Sequence, residues 1–252
     1  MKFEYTSVWG FEHAIRGMRN PKNSWHLSDS ITGFDPETKQ CYWDIGPRDM
    51  KLMQTLIKSG PEHRKFMRQI IVSVDITAPL YWWKEFDTYK VGTVANSTST
   101  MHKLTSQPIT LDCFEIDDWD PDLPVDKADQ SNVTEAGKAC GFVDHWHIDE
   151  RWDKLITWLE DLRQQVLKTE DPARQKAYWK ELVRLLPEAW LQKRTVTMNY
   201  ENLLSICSKS QRRFHKLNEW SGQDDASKPN FISWARTLPY AQELIFIDEV
   251  TE

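Results

Sequence analysis

No apolar run in the 252 residues approaches the ~18 needed to cross a bilayer, so no membrane partner is expected. The opening Met1-Lys2-Phe3-Glu4-Tyr5 lacks the apolar h-region of a secretion signal, and a cytoplasmic protein is expected. The four cysteines, Cys41, Cys113, Cys140 and Cys207, stand singly, with no C-x-x-C pair and none of the density of a disulfide scaffold; they read as free thiols. Excess positive charge is also missing. Against 38 Asp and Glu there are 32 Lys and Arg, and the net charge of -6 gives no general pull toward nucleic acid or anionic membrane. A G-x-S-x-G elbow, a P-loop and a G-x-G-x-x-G turn are all absent, which disfavours the enzyme classes built on them. There is no internal repeat and no low-complexity segment.

What is present is core-forming material. Hydrophobic residues make up 40% and aromatics 12%, enough to bury one large domain spanning 1-252. Most of the thirteen Trp are expected in the core. Gln69 to Ile76 is a β-branched run and predicts a mostly buried strand, with Thr77 as a helix cap, Pro79 in a first helical turn and a helix from Leu80 to about Tyr89. Gly92 to Thr100 is small and polar and reads as a loop, either solvated or able to hold an anion. The Asp- and Pro-rich stretch Asp117 to Gly141 falls within an irregular excursion from about 105 to 150.

Beyond it, Trp152, Leu155, Leu159, Leu162 and Val166 recur at helical spacing, predicting an amphipathic helix that ends near Lys168. A second helix runs from about Pro172 to Leu186, where Pro187 ends or kinks it. Arg194 to Met198 is short and β-prone, and Asn199 caps a helix from Tyr200 to Cys207, a second strand-to-helix junction. A segment inserted at about 208-230 contains the basic run Lys209, Arg212, Arg213, His215 and Lys216 and a polar loop from Ser221 to Pro229. An apolar stretch from Phe231 to Ile247 follows.

His145 and His147, with Asp144, Asp149 and Glu150, could supply metal ligands, but no partner cluster is evident; a polar loop with surface histidines is the expectation, with no metal site. Two strand-to-helix junctions combined with scattered Arg, Asn and Gln suit a nucleotide, because guanidinium groups match phosphate and amides match base edges.

Three segments in order resemble the flavin-dependent thymidylate synthase family. Gly60-Pro61-Glu62-His63-Arg64-Lys65-Phe66 is similar to its G-H-x-S-x-x-E-H-x-x-F-x-F segment. Arg184-Leu185-Leu186-Pro187, followed by Thr195-Val196-Thr197-Met198-Asn199, resembles its A-R-x-x-L-P stretch and T-x-N strand. Arg236-Thr237-Leu238-Pro239-Tyr240-Ala241-Gln242 resembles its R-x-x-x-x-A-Q segment. The chain departs from the family's R-H-R-x-x-S signature, having Lys84-Glu85-Phe86 through Lys90 and then Asn96 to Ser99 at that place. About 37 residues separate Asn199 from Arg236, longer than the family spacing, so the Lys209 to Lys216 run competes with Arg236 as the family's arginine segment.

The resemblance implies an α+β, thymidylate synthase-complementing-protein-like fold, with a central antiparallel or mixed sheet flanked by helices. It implies a homotetramer that binds FAD and methylates dUMP at C5, using NADPH and methylenetetrahydrofolate. It places His63, Lys90 and Asn199 at the cofactor and Ser97, Ser99, Arg184 and Gln242 at the pyrimidine nucleotide, with Arg236 as the catalytic cation and His102 as a further stand-in cation. The lost signature arginines and the Tyr81-Trp82-Trp83 patch leave open a second reading, an inactive fold repurposed to bind a nucleotide or a protein. Single-stranded nucleic-acid binding through aromatics and the basic run is a third, opposed by the acidic balance.

Overall fold

A computed structural model describes residues 1–37, 40–99, 103–116, 148–223 and 226–249. His102, the stretch 117–141, Asp144, His145 and His147 lie outside the described residues, as do the side chains of Asp149 and Glu150. The chain divides into two compact units, one of Met1–Ser97 with Gln192–Glu252, the other of Thr98–Leu191. No described helix is long and apolar enough to cross a membrane.

In the first unit, β1 (Lys2–Trp9) turns into α1 (Phe11–Arg19) through Gly10. Its φ is +98, and a Cβ there would come within 2.0 Å of the Gln69 carbonyl oxygen, so only glycine serves. A hairpin of β2 (Ile31–Asp35) and β3 (Gln40–Asp44) precedes α2 (Pro47–Lys58), whose proline occupies the first turn. A 3₁₀ turn over Arg64–Gln69 leads into β4 (Ile71–Pro79), α3 (Leu80–Phe86) and β5 (Val94–Ser97). The second unit carries α4 (Ile148–Lys168) and α5 (Pro172–Leu185). The chain then continues as β6 (Leu191–Asn199), α6 (Tyr200–Cys207), and the short helices α7 (Lys209–Arg212), α8 (Asn218–Ser221), α9 (Phe231–Arg236) and α10 (Ala241–Leu244).

The main sheet has the order β1-β4-β6-β5. β1 pairs antiparallel with β4 from Lys2↔Thr77 to Trp9↔Ile71, and β5 pairs antiparallel with β6 from Val94↔Thr197 to Ser97↔Arg194. Between β4 and β6, Ser73 meets Thr197, Thr195 donates to Asp75, and the Tyr200 N–H donates to the Ile70 carbonyl, so these strands are antiparallel too. Alternation sends Val72, Val74, Ile76 and Ala78 of β4, with Val196 and Met198 of β6, into the core. Ser73, Asp75 and Thr77 take the opposite face. On β1 the register shifts between Glu4 and Ser7, and Tyr5 stands there at φ 54, largely exposed.

Two local expectations are corrected. Thr77 is not a helix cap: its pairing with Lys2 prolongs the strand to Pro79, and the helix ends at Phe86, with a 3₁₀ turn over Asp87–Tyr89. Val94–Ser97 is not loop but an edge strand, because β6 offers it a ladder. The helices in 148–185, the β6 strand and α6 fall close to where the sequence placed them. Asp171 caps α5 by accepting from the Ala173 N–H at 2.9 Å.

Trp82 and Trp83 of α3 are fully buried, with Phe86, Trp220 and Phe231 around them. The Trp83 indole donates to the Gln192 carbonyl at 2.9 Å, and the Arg194 guanidinium lies 4.2 Å from a Trp83 ring centroid. This aromatic packing ties α3 to β6.

One charged pair is wholly internal. Asp49 of α2 is fully buried and accepts from Arg19 Nε at 2.6 Å, Ser28 Oγ at 2.6 Å, Ser30 Oγ at 2.7 Å and the backbone N–H groups of Asp29 and Ser30 at 3.2 Å. Arg19 also donates to the carbonyls of Ser24 and Leu27. Burial opposes the charge on Asp49, but the bonds from Ser28, Ser30 and Arg19 outweigh it and hold its pKa below the ordinary value.

In the second unit, Leu104, Ile109, Phe114, Leu159 and Leu182 form a core of their own. Arg163 donates to both Glu160 oxygens at 2.7 and 2.8 Å and to the Thr105 carbonyl at 3.0 Å, while Glu160 also accepts from the Ile109 N–H. Arg163 above all holds the Glu160 carboxyl down at about 2.

Replacing Asp49 by Ala strands the Arg19 charge in the core and is expected to cost about 3–5 kcal/mol in chemical denaturation. A depressed carboxylate contributes stability above its unfolded pKa and loses it as pH falls through the folded one. Glu160 therefore supports the second unit above about 4.5 and ceases to do so as pH falls toward about 2. Acid unfolding of Glu160→Gln should lack that component.

Candidate functional site

The two strand-to-helix junctions stand at opposite ends of the sheet, because β4 and β6 run antiparallel. At the β6 end, Asn199 Oδ1 accepts from the Asn202 N–H at 3.0 Å and Asn202 Oδ1 accepts from the Asn199 N–H at 3.1 Å, a reciprocal capping box at the start of α6. Asn202 Nδ2 donates to the Val91 carbonyl at 2.7 Å, which holds the turn Lys90-Val91-Gly92 beside the helix start. A Cβ on Gly92, at φ +80, would lie 3.1 Å from Asn202 and 3.2 Å from Asn199 Nδ2. From the other side the 3₁₀ turn after His63 docks here: Arg64 Nε donates to Glu201 Oε1 at 3.2 Å, and Arg68 pairs with the same carboxylate. Burial works against the Glu201 charge, but Arg68 and Arg64 prevail and lower its pKa.

His63, Lys90 and Asn199 thus flank one helix N-terminus. The side chains of His63 and Lys90 are exposed and have no partner among the described residues, and Asn199 Nδ2 is an unused donor. These groups can meet a polyanion: an ammonium, an imidazole and an amide at the positive end of a helix. Arg64 and Arg68 are less available, because both are engaged by the Glu201 carboxylate.

A second group forms around Glu249. Arg236 donates to Glu249 Oε2 at 2.9 Å and Oε1 at 2.8 Å, and more weakly to Gln242 Oε1 at 3.3 Å. Arg212, from the competing basic run, pairs with the same Glu249. The two arginine segments that the sequence left as rivals therefore converge on one carboxylate. Arg236 first, then Arg212, holds the Glu249 pKa below the ordinary value.

Other candidates are placed singly. Ser97 sits at the far end of β5 from Lys90, paired with Arg194. In the second unit, the Ser99 carbonyl accepts from the Lys103 N–H, and Arg184 makes an exposed pair with Glu181 at 3.2 Å. His215 of the basic run is buried against Trp220, with its ring nitrogens on Glu85 at 3.3 Å and the Ile206 carbonyl at 3.1 Å. Tyr81 is half-buried against Glu219, and Trp82 and Trp83 are core, so the aromatic patch of α3 is packing. Cys113 and Cys207 are free; burial pushes the Cys207 thiol up and leaves it inert. Among the described residues no cluster could hold a metal ion.

Sequence reasoning passed over Glu201, Asn202 and Glu249. Asn202 carried a signal, as a polar residue three places after the cap. The two glutamates carried none, because their arginine partners are distant in the chain. Of the cavities in this unit, one of about 370 Å³ is lined by Arg16, Arg19, Trp25 and Ser30, and another of about 530 Å³ by Trp9, Trp43, Thr237 and Leu238. Neither is lined by a residue from the candidate set.

The class defined by this architecture is an α+β fold with an antiparallel central sheet whose strands launch helices directly. No protein-family model matches the chain, and no curated protein does. Solved structures do. A flavin-dependent thymidylate synthase ThyX from Helicobacter pylori complexed with FAD and dUMP is 14% identical, with a TM-score of 0.58 over 98% of this chain and 99% of that chain. A structure of Thymidylate Synthase X from the same organism with FAD and dUMP is 15% identical, with a TM-score of 0.55 over 99% and 98% of the two chains. The fold implied by the sequence resemblance is therefore the fold observed.

Asn199→Ala should lower stability by about 1 kcal/mol in thermal unfolding. Because the two amides cap each other, the double variant with Asn202→Ala should lose less than the two single losses summed.

Proposed function

We propose that the chain is a flavin-dependent thymidylate synthase-like enzyme acting on a pyrimidine deoxynucleotide, by C5 methylation of dUMP or a related one-carbon transfer. The observation that carries this reading is the correspondence of fold over 98% of this chain and 99% of a ThyX chain whose structure holds FAD and dUMP. The assembly is a homotetramer in this reading.

Flavin supplies redox chemistry when bound, with NADPH as reductant and methylenetetrahydrofolate as one-carbon donor. Lys90 by charge, His63 by hydrogen bonding and Asn199 Nδ2 as a donor would be the groups that hold a cofactor phosphate. The start of α6 would suit such a cofactor because Asn199 Nδ2 is left over from the cap, and His63 and Lys90 are exposed on segments that pack there. Arg236, which contacts Gln242 only weakly beside its bidentate pair with Glu249, would be the cation that meets the pyrimidine nucleotide. Lys90 is a point charge and does not reproduce the planar fork of the missing arginines.

A second reading, a nucleotide- or protein-binding module without catalysis, is favoured by one observation. Arg64 and Arg68 are both engaged by Glu201, and Arg212 and Arg236 by Glu249, so none of the four is without a carboxylate partner.

The absorbance spectrum of the purified protein, with and without added FAD, separates the two. Flavin bands that copurify or appear on titration are the expected result, and Arg236→Ala should then lower turnover of dUMP by roughly a hundredfold. A colourless protein that does not bind added FAD overturns the synthase reading.

A further inference from the structure

The Glu249 group differs from an ordinary surface ion pair in three ways. Two guanidinium groups from separate helices, α7 and α9, close on one carboxylate. Both lie against the Phe246 ring, at 4.1 Å for Arg236 and 5.7 Å for Arg212. That apolar platform orients them whether or not an anion is present. Finally, Arg212 Nε is buried and has no acceptor, so the clamp holds more donor capacity than a two-oxygen carboxylate uses. The Glu249 side chain is 24% exposed and can be reached from solvent.

Paired guanidinium forks are the arrangement that recognises tetrahedral phosphate, which offers three oxygens and up to two negative charges. Glu249 presents two oxygens and one charge. It sits three residues beyond Phe246, and the chain itself keeps it at high local concentration. Beside it, Asp248 Oδ2 accepts from the Lys209 N–H at 2.5 Å, so an incoming anion also faces that carboxylate while Glu249 remains.

We propose that Glu249 is a resident occupant of an anion clamp made by Arg212 and Arg236, and that a phosphate monoester binds there by displacing it. This deepens the assignment of Arg236 to nucleotide binding and rests on that reading. The clamp is closed in the ligand-free chain, and its opening frees the Ile247–Glu249 turn from its two arginine anchors. Weak anions do not open it; a dianionic phosphate, which can also engage Arg212 Nε, does.

The test uses the full chain and inorganic phosphate, titrated by calorimetry against chloride at matched ionic strength. Glu249→Gln removes the charge but retains the shape, and should bind phosphate roughly tenfold more tightly than the unmodified chain. Adding Arg236→Gln in that background should abolish the gain. A folded Glu249→Gln protein whose phosphate affinity equals that of the unmodified chain overturns the proposal and leaves Glu249 a structural anchor. Should Glu249→Gln melt below the assay temperature, Glu249→Asp shortens the reach by one methylene and should still gain a few-fold; no gain there overturns the proposal equally. Neither flavin nor dUMP is present, so a colourless protein does not affect this result. A flavin-binding protein whose phosphate affinity ignores Glu249 would overturn the clamp alone.

Discussion

Strand β4 is the constraint on which the rest of the first unit depends. Its even-numbered residues from Val72 to Ala78 are fully or almost fully buried, and a slip of one position would exchange them with Ser73, Asp75 and Thr77. α3 continues directly from the strand, so this register also determines where Trp82 and Trp83 enter the core. Trp83 then fixes Gln192 and Arg194, and with them the register of β6. Once β6 is set, Asn199 must arrive beside Ile70, where the Tyr200 N–H meets the Ile70 carbonyl and the Arg64 turn meets Glu201. The gathering of His63, Lys90 and Asn199 is therefore a distant effect of strand alternation.

Elements stabilised by their own neighbours were legible in the sequence. α4 and α5 show a helical repeat, and Asn199 lies before α6 as a cap should. Elements stabilised by distant partners were not. Thr77 looked like a cap because nothing near it announces Lys2, and Val94–Ser97 looked like a loop because its polar, small residues gain strand geometry only from β6. The β2–β3 hairpin is an exception to this division, since its strands are neighbours in the chain and it too went unread. The site followed the same division: His63, Lys90 and Asn199 could be named from motif positions, whereas the carboxylates of Glu201 and Glu249 are fixed by contacts across more than a hundred residues or between separate helices.

The acidic balance of the chain acquires a local meaning. Arg19 lies on Asp49, Arg64 and Arg68 on Glu201, Arg194 on Asp87, and Arg212 and Arg236 on Glu249. An anionic ligand at any of these arginines must compete with a carboxylate already in place, and such competition discriminates by charge and by number of acceptors more than by attraction at a distance. Among the described residues of the candidate set, Lys90 and His63 are the exceptions, since each is exposed without a carboxylate of its own.

The shifted register of β1 bears on how these molecules behave when many are crowded together. β1 is an edge of the sheet, and an uninterrupted edge is a template on which a foreign strand can extend the ladder. Between Glu4 and Ser7 the row of backbone donors and acceptors is broken, and Tyr5, at positive φ, projects a bulky ring outward. Two chains meeting edge to edge would find their hydrogen bonds falling out of step within a few residues, so the irregularity works as a guard against ribbon-like aggregation.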